Sequence, residues 1–206
     1  MALDALILAG GRATRLDGFD KAELSIEGSS LLAIALRATD AADARTRVVV
    51  GPDRALPASV RRAREDPPFG GPVAAIAAGL AALDPATDDA AGADLVLVLA
   101  ADMPRAEDAV RLLLTGWSGA GDGAHLIDAD GREQWLCGVY RRAPLGAAVA
   151  AVADTSGDIE RGETRGLSVR RLLAPLTLER VDDPDGVATD IDTWSDVESA
   201  RAKGTP

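Results

Sequence analysis

The residues best suited to chemistry stand near the start of the chain. In Leu8-Ala9-Gly10-Gly11-Arg12-Ala13-Thr14-Arg15 a glycine pair closes a short apolar run, two arginines follow, and Lys21 comes close behind. A glycine pair lets the backbone approach a ligand closely and aim free N–H groups at phosphate oxygens. The segment is not the dinucleotide pattern G-x-G-x-x-G, because Arg12 stands where its second glycine would be. Nor is it a Walker A loop, since no Gly-Lys-Ser/Thr follows at the required spacing. An ordinary strand-to-loop turn would account for the glycines alone. Three cations gathered around that turn, in a chain of net charge −11, point to an anionic ligand. Lysine usage sharpens the point, because only Lys21 and Lys203 are lysines among 22 basic residues. Lys203 lies in a polar tail, whereas Lys21 sits where a compact, flexible ammonium differs chemically from a planar guanidinium.

Carboxylates supply the second half of the chemistry. Asp102 follows a long apolar run inside Asp102-Met103-Pro104, where it can cap a helix or bind Mg2+. Mg2+ prefers one or two carboxylates together with substrate phosphates and waters. Asp190-Ile191-Asp192-Thr193 offers two further carboxylates ahead of a helix, with capping again the plainer role. Glu65-Asp66-Pro67-Pro68-Phe69-Gly70-Gly71-Pro72 joins an acidic pair to a second glycine pair. There Asp66 can accept hydrogen bonds from a sugar or base, and a helix N-terminus at Gly71-Pro72 can meet a phosphate or a sugar. Without the other elements this stretch would read as a surface turn.

Alternating elements must position these residues. Ala5 to Ala9 reads as a buried strand, Thr46 to Val50 as a second and Val60 to Glu65 as a third. Leu95 to Ala100, apolar on both faces, predicts the central strand. Ala124 to Ile127 and Gln134 to Tyr140 flank a turn at Asp128-Ala129-Asp130-Gly131, and Leu176 to Val181 adds a last strand. Helices are expected from Ser30 to Ala42 behind a serine cap, from Pro72 to Leu83, and from Ala106 to Trp117. Further helices are expected at Pro144 to Val152, Leu167 to Leu173 and Thr193 to Ala202. The pattern predicts an α/β fold: one doubly wound, mostly parallel sheet with helices on both faces, in a single domain of residues 1–206. In such sheets ligands lie beyond the carboxyl ends of the strands, where Gly10-Gly11, Gly51, Asp66 and Asp102 would all fall.

Composition removes several classes of function. Hydrophobic residues make up 47% of the 206 but aromatics only 3%, so the core is built from Ala, Val, Leu and Ile. The negative charge argues against a nucleic-acid partner, which needs clustered Lys and Arg, and against anionic membranes. A small anion held by a few local cations is compatible with it. No run reaches the roughly 18 apolar residues of a membrane span. The start Met1-Ala2-Leu3-Asp4 lacks a basic region, so no secretory signal is expected. A single cysteine, Cys137, precludes an internal disulfide, and with the single His125 it precludes a Cys/His metal site. Cys137 reads as an inert core thiol and His125 as a structural or surface residue. A cytoplasmic location is expected.

Taken together, Leu8-Ala9-Gly10-Gly11, Thr14-Arg15-Leu16, Asp20-Lys21-Ala22, Glu65-Asp66, Gly70-Gly71-Pro72-Val73-Ala74-Ala75, Asp102-Met103-Pro104 and Asp190-Ile191-Asp192-Thr193 follow the order seen in molybdenum cofactor guanylyltransferases. The chain resembles that family over nearly its whole length. The resemblance implies a Rossmann-like nucleotidyltransferase fold and transfer of GMP from GTP to the phosphate of molybdopterin, with Mg2+ as cofactor and pyrophosphate released. It implies that Leu8, Ala9, Gly10 and Gly11 contact guanine and phosphates and that Arg15 and Lys21 hold the triphosphate. Asp66 and Gly71 would contact the nucleoside and Asp102 would bind Mg2+. It also implies transient contact with the enzymes that receive the molybdenum cofactor, and says nothing of oligomeric state.

The chain departs from the family pattern in three places. Leu16-Asp17 replaces the usual Met-Gly, bringing a negative charge near the phosphates. Gly51 replaces a common polar amide after the second strand. Asp190 and Asp192 replace asparagines, which makes Asp192 a candidate second metal ligand. Two other readings stand beside guanylyl transfer: the same chemistry with another base or acceptor, such as cytidylyl transfer, and a non-catalytic nucleotide-binding module. The Leu8-Ala9-Gly10-Gly11 form favours guanylyl, since cytidylyl relatives usually carry a second alanine before a single glycine. On the acceptor side, Arg161, Arg165 and Arg170 are candidates for an anionic group, although arginine is this chain's ordinary surface cation.

Overall fold

The computed structural model describes residues 1–10, 20–66, 68, 70–83, 93–155 and 168–203. Its first strand is β1 (Leu3–Leu8), whose apolar residues face both ways: Ala5 and Ile7 enter one core, Leu6 and Leu8 the other. That alternation is the two-residue period of a strand covered on both faces. The same division holds in β6 (Leu95–Ala100), with Leu97 and Leu99 on one side and Val96 and Val98 on the other. β1 lies between β4 (Arg47–Val50) and β6, parallel to both. β5 (Val60–Ala63) extends the sheet beyond β4.

Among the described residues the sheet has seven strands in the order β5-β4-β1-β6-β8-β7-β9, so β6 is central as expected. β7 (Gly123–Asp128) and β8 (Glu133–Arg141) form a hairpin, and β9 (Leu178–Asp183) pairs in parallel with β7. Only β8 runs against the others, antiparallel to both β6 and β7. The start of β8 therefore reaches the edge where the remaining strands end.

Helices cover both faces. α1 (Leu31–Ala41), α3 (Ala106–Gly116) and α6 (Trp194–Lys203) lie on one side, contributing Ile34, Leu113 and Val197 to the first core. α2 (Pro72–Leu83), α4 (Arg142–Thr155) and the short α5 (Val169–Leu173) lie on the other, contributing Ile76, Leu145 and Leu172. α1 starts at the expected cap, where the Ser30 hydroxyl accepts from Ala33 N at 3.2 Å. α2 opens with Pro72, whose missing N–H costs nothing at a first helical position.

Two small elements were not anticipated. Lys21–Glu23 form a single 3-10 turn, and β2 (Ser25–Ile26) pairs with β3 (Ser29–Ser30) in a separate hairpin. Glu27 and Gly28 connect those strands with φ of 51° and 81°, as a two-residue mirror-image turn requires. The described helices include none long and apolar enough to cross a membrane.

At the carboxyl end of β4, Gly51 touches the backbone leaving β1. A Cβ on Gly51 would lie 2.7 Å from the Ala9 carbonyl oxygen. The missing amide at this position is thus a steric requirement of the strand pair. Gly51→Ala is expected to lower stability by about 1–3 kcal/mol in urea unfolding. A variant with unchanged midpoint and slope would show that the strands can separate without cost.

Candidate active site

A cleft of 540 Å3 opens along the carboxyl edge of the sheet. Leu8 and Gly10 enter it from β1, Glu65 from the loop after β5, and Gly71 and Pro72 from the start of α2. Asp102 enters from the end of β6, Gln134 and Trp135 from the start of β8, and Ala188 and Asp190 from the loop after β9. Gly71 has φ +91°, a conformation that disfavours side chains, and its carbonyl accepts from Ala75 N as the chain turns into α2. Glu65 is buried, and its Oε1 lies 3.7 Å from the place a Cβ would take on Gly10.

Lys21 connects the two ends of the molecule. The Asp20 carboxylate accepts from Ala22 N at 3.0 Å and so fixes the 3-10 turn that carries the lysine. From there Nζ reaches Asp192 Oδ1 at 2.5 Å and Asp102 Oδ2 at 3.5 Å. Burial works against the ammonium, but the hydrogen bond to Asp192 and the charges of both carboxylates outweigh it, and the lysine pKa rises. The Asp102 pKa also lies above the ordinary carboxylate value, chiefly because the group is partly shielded from water. Lys21 opposes that rise, and the neighbouring charge of Asp190 adds to it.

The helix-capping explanations for Asp102 and Asp192 do not apply. α3 begins at Ala106 after Arg105, with no side-chain cap. α6 is capped by a reciprocal pair: Thr193 Oγ1 accepts from Asp196 N at 3.3 Å, and Asp196 accepts from the N–H groups of Asp192 and Thr193. The Thr193 hydroxyl and those amides hold Asp196 below the usual carboxylate value. With the cap complete, the Asp192 side chain is directed to Lys21. The loop carrying it is shaped by buried Asp183, which accepts from Val187 N at 2.9 Å and Ala188 N at 2.8 Å. Ile191 N then donates to the Asp102 carbonyl at 3.0 Å, joining the late loop to the end of β6.

Of the expected site residues, Leu8, Gly10, Gly71 and Asp102 line the cleft, and Lys21 and Asp192 join Asp102 at its margin. Ala9 is buried behind the lining, donating to the Val50 carbonyl. Asp66 is exposed and its neighbour Glu65 enters the cleft. Gly11, Arg12, Thr14, Arg15, Leu16 and Asp17 lie outside the described residues, as do Arg161 and Arg165. Arg170 borders a different cavity with Arg132 and Arg180. Burial pushes the Cys137 thiol up to about 12, which fits the inert role expected of it. His125 is buried, its pKa lowered by burial, with Nε2 bonded to Glu133 and its ring tilted 36° against Trp135 at a centroid distance of 4.1 Å.

Asp102 and Asp192 provide the two carboxylates that suit a divalent cation completed by phosphates and waters. Among the described residues no three His, Cys, Asp or Glu side chains cluster as a metal cage. This donor set fits a cation that shares its coordination with a substrate, which is the usual situation of Mg2+.

Residues 5–177 match the family model of the MobA-like NTP transferase domain. A protein of Opitutus terrae described as a probable molybdenum cofactor guanylyltransferase is 33% identical over 181 residues, spanning 87% of this chain and 81% of its own. Molybdopterin-guanine dinucleotide biosynthesis protein A from Archaeoglobus fulgidus superposes with a TM-score of 0.65 at 18% identity, over 97% of each chain. The 4-diphosphocytidyl-2C-methyl-D-erythritol synthase of Anaerococcus prevotii superposes with a TM-score of 0.68 at 14% identity, over 98% of this chain and 97% of that one. At these identities the two structures establish a shared fold.

The raised pKa of Asp102 has a consequence for stability. A carboxyl whose folded pKa exceeds its unfolded value contributes stability below the unfolded value, and that stability is lost as pH rises through the folded one. The melting temperature of Asp102→Asn relative to wild type is therefore expected to increase from acid pH toward pH 7. A difference that shrinks over that range would mean that pairing with Lys21 outweighs burial.

Proposed function

Because the chain belongs to the MobA-like NTP transferase family, whose members are nucleotidyltransferases, we propose that it transfers GMP from GTP to the phosphate of molybdopterin and releases pyrophosphate. The observation that carries this reading is the meeting of Lys21, Asp102 and Asp192 at the margin of the cleft. An acceptor phosphate oxygen attacks the α-phosphorus, and the bond to the pyrophosphate oxygen breaks in line with it. Gly10 and Gly11 bring backbone N–H groups to the phosphates, and Arg15 and Lys21 neutralise the charge that moves to the leaving group. Asp102 and Asp192 would hold Mg2+, which would supply polarisation of the phosphoryl oxygens. No covalent intermediate is required.

Guanine is favoured over cytosine by Glu65 as well as by the Leu8-Ala9-Gly10-Gly11 form. A carboxylate only accepts hydrogen bonds. It therefore suits the adjacent N–H donors of guanine and opposes the acceptors on the corresponding edge of cytosine. Leu8 and Gly71 complete the nucleoside contacts in this reading, with Ala9 behind them and Asp66 outside the cleft. The acceptor enters from the Gln134 and Trp135 side of the cleft. A single domain of residues 1–206 and a cytoplasmic location fit a GTP-consuming reaction, as does brief contact with the enzymes that take up the product.

A panel of GTP, CTP, ATP and UTP with Mg2+ tests the reading, scored first by thermal shift and then by pyrophosphate release with molybdopterin as acceptor. GTP should stabilise most and turn over only with the acceptor present. Stabilisation by GTP without release would leave a binding module. Lys21→Ala and Asp102→Ala should each slow transfer by about 10²–10³-fold while the fold persists. Collapse of thermal stability in both would make them structural instead.

A further inference from the structure

Arg54 lies in the loop after β4, yet its side chain is only 6% exposed. It is the least exposed of the described ion-paired arginines: Arg47 and Arg142 stand at 16% and 18%, and others such as Arg37 and Arg111 at 50% and 69%. Its guanidinium reaches two segments besides its own loop. Nη2 donates to the Ala9 carbonyl at 2.9 Å and lies 3.1 Å from Asp20 Oδ2. Nη1 is 3.5 Å from Glu23 Oε1, and Nε donates to the Pro52 carbonyl at 3.4 Å.

These partners are placed where the phosphate site begins and ends. Ala9 immediately precedes the Gly10-Gly11 pair. Asp20 and Glu23 flank Lys21, and Asp20 caps the turn that carries it. One planar fork thus joins the backbone entering the glycine segment to the turn that follows it. The same contact offsets part of the charge of two carboxylates beside Lys21. A lysine here would keep the charge but has a single nitrogen and no fork to span the three segments.

We propose that Arg54 is a positioning residue for triphosphate binding, acting through Lys21 by fixing the Asp20–Glu23 turn against the Ala9 backbone. The proposal rests on the nucleotidyltransferase reading above. It makes Arg54 a determinant of affinity and turnover without contact between its side chain and the substrate. Misplacement of a binding group by about 1 Å costs as much as about 10²-fold in rate.

Calorimetric titration with GTP and Mg2+, together with turnover, tests this on Arg54→Ala, Arg54→Lys, Lys21→Ala and the double variant Lys21→Ala/Arg54→Ala. Arg54→Ala should weaken GTP binding by about tenfold or more, and Arg54→Lys, which preserves charge and bulk, should recover only part of the loss. In the Lys21→Ala background, removal of Arg54 should cost less than about twofold, because residues acting as one unit are not additive. Wild-type affinity in Arg54→Lys, or full multiplication of the two losses, would overturn the positioning role while leaving the nucleotidyltransferase reading intact. Failure of the wild type to bind GTP would overturn both.

Discussion

The Lys21 ammonium is shared between Asp192 at 2.5 Å and Asp102 at 3.5 Å, and the geometry of the sheet edge depends on that contact. It joins a turn after the first strand, the end of the central strand and the loop before the last helix. Supporting bonds converge on it from each side. Asp20 caps the lysine turn, Ile191 N ties the late loop to the Asp102 carbonyl, and Thr193 with Asp196 caps α6 so that Asp192 is directed elsewhere. A partly buried ammonium has few ways to satisfy its charge, and two carboxylates from distant segments supply one.

This arrangement also explains how a chain of charge −11 can host a polyanion. Lys21 and Arg54 stand at one edge, and their carboxylate partners are held at fixed distances. Arg54 offsets part of the charge of Asp20 and Glu23, and Lys21 part of that of Asp102 and Asp192. The overall sign of the protein then matters little to a ligand a few ångströms away, since more distant charges are screened by salt.

The sheet was legible because long apolar runs leave few alternatives. Leu95–Ala100 is apolar at every position and proves central, and Ser30 and Pro72 mark helix starts as expected. The β2–β3 hairpin escaped because two-residue strands carry no periodicity. Its only signal was Glu27-Gly28, a weak relative of the Asn-Gly turn pair. The direction of β8 was hidden for a different reason, since an apolar run reads the same either way. At the site, Gly10, Gly71 and Asp102 follow from residue type and strand position. The approach of Asp192 to Lys21 spans 171 positions, and local pattern carries no trace of it. Glu65 in place of Asp66 in the cleft is a one-residue matter of orientation, which in an extended segment reverses the face presented. Arg54 was invisible among many arginines until burial separated it from the rest.

The scarcity of lysine makes the central contact directly measurable. With only Lys21 and Lys203 in the chain, 13Cε-labelled lysine gives two resonances, and a Lys203→Arg variant assigns them. Lys21 should titrate above the ordinary lysine value of about 10.4, and Asp192→Asn should lower that midpoint. A Lys21 midpoint at or below the ordinary value, indifferent to Asp192→Asn, would contradict the shared ammonium from which this account of the site is built.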